Sequence, residues 1–179
     1  HVITGALADF ASKKDSDSLA TIVEQTKNNL AENEINIKEV IADAGYSSGK
    51  ALKYLEQENI TAYIPNFGQY KNEREGFIFN KELNQYECIK DNGKQAILTY
   101  KGIKTDSKGY EKKQYRSSES VCAKCALRAQ CCGKVTKYKK IDDSIDKPYY
   151  DRMHERLTNN KLYAKRMVRL RSSTVEPVL

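Results

Sequence analysis

No apolar run in this chain approaches the roughly 20 residues that cross a bilayer, so no membrane-spanning helix is expected. The opening, HVITGALADF, has neither a basic stretch nor an apolar h-region, which argues against a secretory leader there. An initiator methionine is missing too, and the simplest reading is a fragment of a longer protein. Histidine occurs only at positions 1 and 154. No H-E-x-x-H is present, and no cysteine–histidine pairing that would make a nucleophile is evident. Internal repeats and low-complexity tracts are absent as well.

What remains is an ordinary soluble composition, 39% hydrophobic and 31% charged over 179 residues. That is enough for one domain, or for one domain carrying a large insertion. The net charge of +7 is unevenly spread. Residues 101–140 hold twelve Lys and Arg against Asp106, Glu111 and Glu119, while residues 1–100 are mildly acidic. A concentrated basic segment suits a polyanionic partner, because each neutralised phosphate releases condensed counterions. A solvated lysine-rich surface is the bland alternative. The five cysteines, in a chain expected to be unsecreted, read as reduced thiols or metal ligands in preference to disulfides.

The N-terminal third reads as strand, helix, strand, helix, strand. HVITG is a short β-branched run ending at Gly5, and a helix begins near Ser16 to Ser18 with Leu19, Ile22, Val23, Thr26 and Leu30 on one face. Ile37 to Ala42 is the second strand. A helix from about Ser48 to Gln57 buries Ala51, Leu52 and Leu55, capped by Ser47 or Ser48, and ITAYIP closes the series at Pro65. Alternation of this kind implies parallel pairing through right-handed crossovers, hence an α/β sheet. From residue 66 to about 146 the short runs GFIFN, QYECI, AILTY and KQYRSS predict small antiparallel strands around the cysteines. Helical character returns at Pro148, a favourable first-turn residue.

Two carboxylates stand out. Asp43 follows the apolar run Val40-Ile41-Ala42, where a parallel strand would end and where open α/β sheets place ligands. An aspartate there can equally cap the turn that Ala44-Gly45 begins. Glu176, in RSSTVEPVL, falls in the first turn of a helix if Ser173 or Thr174 caps it. Taken singly it is an unremarkable N-terminal helix glutamate. The cysteines form C-x2-C-x5-C at Cys122, Cys125 and Cys131, with Cys88 as a candidate fourth ligand from an earlier hairpin. Four thiolates suit a closed tetrahedral Zn²⁺ site, and a small insertion without a large core benefits from such a staple. Cys132 is left over or replaces Cys131. Buried reduced thiols and an iron–sulfur cluster are the competing readings, although nothing implies redox work. Lysines interleaved with Tyr100, Tyr110, Tyr115 and Tyr138 suit a nucleic-acid surface, and tyrosines also pack small β-domains.

Together, HVITG, DAGYSSG, AYIP, REGFIFN, YEC, YRSS, CAKCALRAQC, YYDRMHERL and RSSTVEPV occur in the order found in bacterial insertion-sequence transposases of the DDE class. The chain resembles, over nearly its whole length, the group with a cysteine-bearing insertion between the second and third acidic residues. The resemblance implies a ribonuclease-H-like mixed sheet with flanking helices, interrupted by a small cysteine-rich antiparallel insertion. Residues 1–65 would be part of the catalytic core, 66–146 the insertion, and 147–179 the C-terminal helical part of the core. It implies metal-dependent phosphodiester cleavage and strand transfer, with Asp43 and Glu176 as the second and third acidic residues, holding Mg²⁺ or Mn²⁺. Phosphate contact falls to Arg169 and Arg171, with Lys165 and Arg166 beside them. Transposon-end and target DNA are the implied partners, with a homo-oligomer in the full-length enzyme and a cytoplasmic, nucleoid-associated location in a bacterium. The family's first aspartate lies before the segment matching HVITG, and Asp9, Asp15 and Asp17 fall in the turn after it. This chain is therefore expected to be inactive alone. A non-catalytic zinc-stabilised DNA-binding module, or a transposon remnant, is the alternative reading.

Overall fold

The computed structural model describes residues 3–9, 12–68, 70–89, 96–132 and 135–174, with only the backbone at Ser172 and Thr174. The chain divides into two compact units, His1–Tyr70 with Asp146–Leu179, and Lys71–Ile145. The first mixes helices with a parallel strand pair, and the second is built on an antiparallel sheet.

In the first unit, α1 (Asp15–Ala31) starts with Asp15 and Asp17 in its first turn, where the helix dipole favours negative charge. Its inward stripe is Leu19 and Val23, both buried. Strand β1 (Glu39–Ile41) runs through a 3-10 turn (Ala44–Tyr46) into α2 (Gly49–Gln57), which returns the chain to β2 (Thr61–Tyr63). The Ser48 side chain caps α2 by accepting the Ala51 N–H at 3.1 Å. The two strands pair in parallel, Glu39 opposite Thr61 and Ile41 opposite Tyr63. Two helices complete the unit, α5 (Lys147–Asn159), with Pro148 in its first turn, and α6 (Lys161–Thr174). Leu19, Leu52, Leu55, Ile60, Ile64 and Met153 form one buried cluster with Val23, Ala51 and Ala62. Each large apolar side chain in it contributes about 1.5–3 kcal/mol relative to exposure.

Among the described residues one expected strand is not found. Residues Ile3 to Gly5 of HVITG are irregular, and Ile3 is exposed; His1 and Val2 lie outside the described residues. The Thr4 carbonyl is satisfied by the Asn29 side-chain amide at 2.7 Å, a side-chain bond in place of a strand ladder. β-branched composition favours a strand only where a pairing edge receives it.

In the second unit the strands run as an antiparallel meander, β3 (Phe77–Asn80), β4 (Gln85–Cys88), β5 (Ile97–Thr105), β6 (Glu111–Ser117) and β7 (Lys140–Ser144). Phe77, Tyr86, Leu98, Tyr115 and Ile141 alternate onto one face and form its core, with Cys88 and Cys131 packed against them. Short helices α3 (Glu119–Ala123) and α4 (Arg128–Cys131) lie between β6 and β7. Among the described residues no helix is long and apolar enough to cross a membrane.

Candidate functional site

Asp43 leaves the carboxyl end of β1 in an extended conformation and caps the 3-10 turn, its Oδ1 accepting the Gly45 N–H at 2.8 Å. Capping occupies one oxygen of an otherwise half-exposed carboxylate. The other, Oδ2, stands 3.9 Å from Arg171 Nη1, reached from the last turns of α6. A second acid is close. A β-carbon placed at Gly45 would lie 2.8 Å from Asp15 Oδ2 and 3.0 Å from Asp43 Oδ1, so the two carboxylates flank Gly45. Tyr46 registers both: burial first, then the charges of Asp15 and Asp43, push its phenol above its ordinary pKa.

Asp15 was not singled out by sequence reasoning, which placed it in a turn beside Asp9 and Asp17. It opens α1, and its only local signal is an acid in a first helical turn, a pattern shared with Asp17. Asp9 instead accepts hydrogen bonds from Lys13 Nζ at 2.8 Å and Ser18 Oγ at 2.9 Å. Glu176 lies outside the described residues. Of the two caps expected before it, Ser173 is corrected, because it lies within α6 and its hydroxyl donates to the Leu170 carbonyl at 3.1 Å, while the Thr174 side chain lies outside the described residues. A serine that back-bonds one turn behind it is serving its own helix.

The cations expected to meet phosphate divide between two faces of α6. Arg171 turns toward Asp43, while Lys165, Arg166 and Arg169 line a shallow open groove with Leu162, Leu170 and Ser173. That spacing is one exposed helical stripe, and Ala164 and Met167 on the opposite side are buried. Three exposed cations on a straight stripe offer phosphate-spaced charge without base-reading geometry.

The thiols are all free. Cys122 is buried with its Sγ 2.9 Å from Ser117 Oγ, and Cys88 and Cys131 pack against the sheet core. Burial pushes the Cys132 thiol up to about 11, and the adjacent Cys131 and Cys122 add to the shift. The neighbourhood that forms is thus Cys122, Cys131 and Cys132, whereas the expected set was Cys88, Cys122, Cys125 and Cys131. Among the described residues no three His, Cys, Asp or Glu side chains are arranged to hold a metal ion.

No family model, no curated protein and no solved structure matches this chain.

Proposed function

We propose that this chain is part of the catalytic domain of a DDE-class insertion-sequence transposase, ribonuclease-H-like in fold, with its cysteine-bearing segment as an insertion. One observation carries the reading: Arg171, near the end of α6, stands beside Asp43 at the carboxyl end of β1. A transposase needs the chain to return from a long excursion so that acids distant in sequence serve one phosphodiester. The end of α6 is the segment that leads into Glu176.

Asp43 and Asp15 offer hard, solvent-reachable oxygen donors, the kind Mg²⁺ or Mn²⁺ takes one or two at a time. Asp43, with Glu176 as its partner, is the pair assigned to hold the cations, and Asp15 is placed to assist. When bound, two such ions stabilise the entering and leaving oxygens of an in-line displacement at phosphorus. The remaining work belongs to side chains of this chain. Gly45, lacking a β-carbon, lets the two carboxylates approach its backbone. Arg171 offsets their charge and can turn to a phosphate oxygen. Lys165, Arg166 and Arg169 hold the DNA backbone electrostatically and fix its position, but carry no sequence preference. Cys88, Cys122, Cys125 and Cys131 remain the proposed Zn²⁺ ligands, and binding the metal would have to gather them, because the described side chains do not form such a group as they stand. Transposon ends and target DNA are the partners, a homo-oligomer the working form, and the bacterial cytoplasm and nucleoid the location.

In a full-length protein containing this segment, Asp43→Ala or Glu176→Ala should abolish cleavage of labelled transposon-end DNA while leaving binding within a few-fold of wild type. Loss of binding to the same degree as cleavage would count against metal ligation. Retained binding with no cleavage by the unmutated full-length protein would select the non-catalytic zinc-stabilised DNA-binding module.

A further inference from the structure

The basic excess of residues 101–140 is sorted by the tertiary structure. Of the four tyrosines interleaved with it, Tyr115 is only 2% exposed, its ring packed 5.1 Å from Tyr86 and 5.6 Å from Tyr100. Tyr138 lies under the Arg116 guanidinium, 5.2 Å from the ring centroid. Those two rings serve the sheet. Tyr110 is 54% exposed, and Tyr100 keeps one edge in solvent, both on the β5–β6 hairpin.

That hairpin outruns its neighbours. β4 pairs with β5 only from Ile97 to Thr99, so β5 from Tyr100 to Thr105 has an open edge among the described residues. β7 reaches β6 as far as Lys112, and just past it the Ile145 N–H meets the Glu111 carbonyl at 3.2 Å, leaving the turn from Asp106 to Tyr110 beyond the sheet. A bulge sets Lys101 and Gly102 together opposite Gln114, with Gly102 at φ +99°, and such a bulge sharpens the twist and re-aims the rest of the strand.

The charges on this tip are not balanced internally. Asp106 is consumed by the turn: Oδ1 accepts the N–H groups of Lys108 at 2.9 Å and Tyr110 at 3.0 Å, and Oδ2 pairs with Lys112 Nζ at 2.8 Å. Lys101, Lys104 and Lys108 are exposed and form no ion pair among the described residues. Lysines on an open edge also discourage strand-on-strand aggregation. Edge protection, however, gives no reason to expose Ile103 and Tyr110 beside them.

We propose that the open edge and tip of the β5–β6 hairpin bind the phosphate backbone of duplex DNA, through Lys101, Lys104 and Lys108 with Tyr110 beside them. The choice of duplex DNA rests on the transposase reading. Because of the bulge, Lys101, opposite Gln114, and Lys104, opposite Lys112, are about 7 Å apart along the ladder, comparable to two base-pair steps of the duplex. Two exposed tyrosines among several lysines favour phosphate contact over the run of stacked rings that a single strand uses.

The test is fluorescence anisotropy of this chain with a labelled random-sequence 20-mer, as duplex and as single strand, over a salt series. Against wild type stand the triple variants K101A/K104A/K108A and K101R/K104R/K108R, with K165A/R166A/R169A on α6 as comparison. Each lost phosphate contact lowers the slope of log K against log salt by about 0.9, so the hairpin alanine variant should lose about two to three in slope. Its duplex affinity should fall at least tenfold at 0.1 M salt, and the arginine variant should restore it. A circular dichroism melt matching wild type separates lost contact from lost folding, and the arginine variant supplies the answer if the alanine one melts early. Wild-type slope and affinity in the alanine variant would overturn the proposal while leaving the transposase reading intact, as would tighter binding of the single strand. A hairpin that binds duplex DNA in a protein whose Asp43→Ala form still cleaves would sink the transposase reading and keep this one.

Discussion

Replacing Asp143 probes the second unit at the point where burial and charge conflict. Asp143 sits on β7 at 5% exposure, yet carries a carboxylate. It is held by Arg74, whose Nη2 donates to Oδ1 at 2.7 Å and whose Nε donates at 3.2 Å, and by the buried Tyr86 hydroxyl, which donates to Oδ2. Burial first, and then the bond to this carboxylate, push the Tyr86 phenol far above its ordinary pKa, so it stays a donor at any working pH. Asp143→Ala orphans that hydroxyl, which costs about 1–3 kcal/mol. It also removes the Arg74 pair. Breaking a fully buried pair costs about 3–5 kcal/mol, but the Arg74 side chain is 43% exposed and regains water, so about 1–2 kcal/mol is appropriate. The total is about 3 kcal/mol. Tyr86→Phe alone takes from Oδ2 of the buried carboxylate the hydroxyl that donates to it and should cost about 1–3 kcal/mol. In that background no hydroxyl is left to orphan, so the Asp143→Ala penalty should shrink by about 1–2 kcal/mol. Hydrogen exchange at the Tyr86 and Tyr115 amides reads this locally, which matters in a chain of two compact units without a single assured transition. Additivity of the two substitutions within about 0.3 kcal/mol would refute the network account.

Three further outcomes are expected. At Gly49, the first residue of α2, a β-carbon would overlap the Asp146 side chain down to that residue's own β-carbon. Gly49→Ala should therefore destabilise by about 1–3 kcal/mol despite alanine's better helix propensity, and a raised melting temperature would contradict it. The Lys112 ammonium, helped by the Tyr110 and Lys108 N–H groups, holds the Asp106 carboxyl below the usual carboxylate range. Its contribution to the hairpin turn is complete above about pH 4, the unfolded value, and disappears as pH falls through the lower folded value. The Lys108 and Tyr110 amide shifts should hold steady down to about pH 4 and move only below it; movement centred near pH 6 would exclude Asp106 as the cause. Protein purified under reducing, chelator-free conditions should contain about one zinc per chain if the thiols form a four-ligand site, and metal-free protein with unaltered stability would remove that assignment.

Helices α1, α2 and α5 and most strands were legible because their signals are local, whereas α3 and α4 were missed within the segment read as strands. The Leu19–Val23 stripe, the Ser48 cap, Pro148 in a first turn and the alternation in Phe77–Asn80 and Gln85–Cys88 each need only a few neighbouring residues. Asp43 at a strand end could be read from the apolar run before it and the Ala-Gly turn after it. Where the reading failed, a distant partner decided. Ile3 to Gly5 had strand composition but found the Asn29 side chain, and Ser173 had cap chemistry but lay within α6 and bonded back to Leu170. Asp15 meets Asp43 only because α1 packs across the turn at Gly45, and Arg171 joins them from the far end of the chain. The same holds for the tyrosines of the basic segment, of which strand register buried Tyr115 and left Tyr110 in water. Periodicity and capping are properties of adjacent residues, and the sequence alone determines them. Which charges face one another depends on how elements pack across long stretches of chain, and only the tertiary structure decides it.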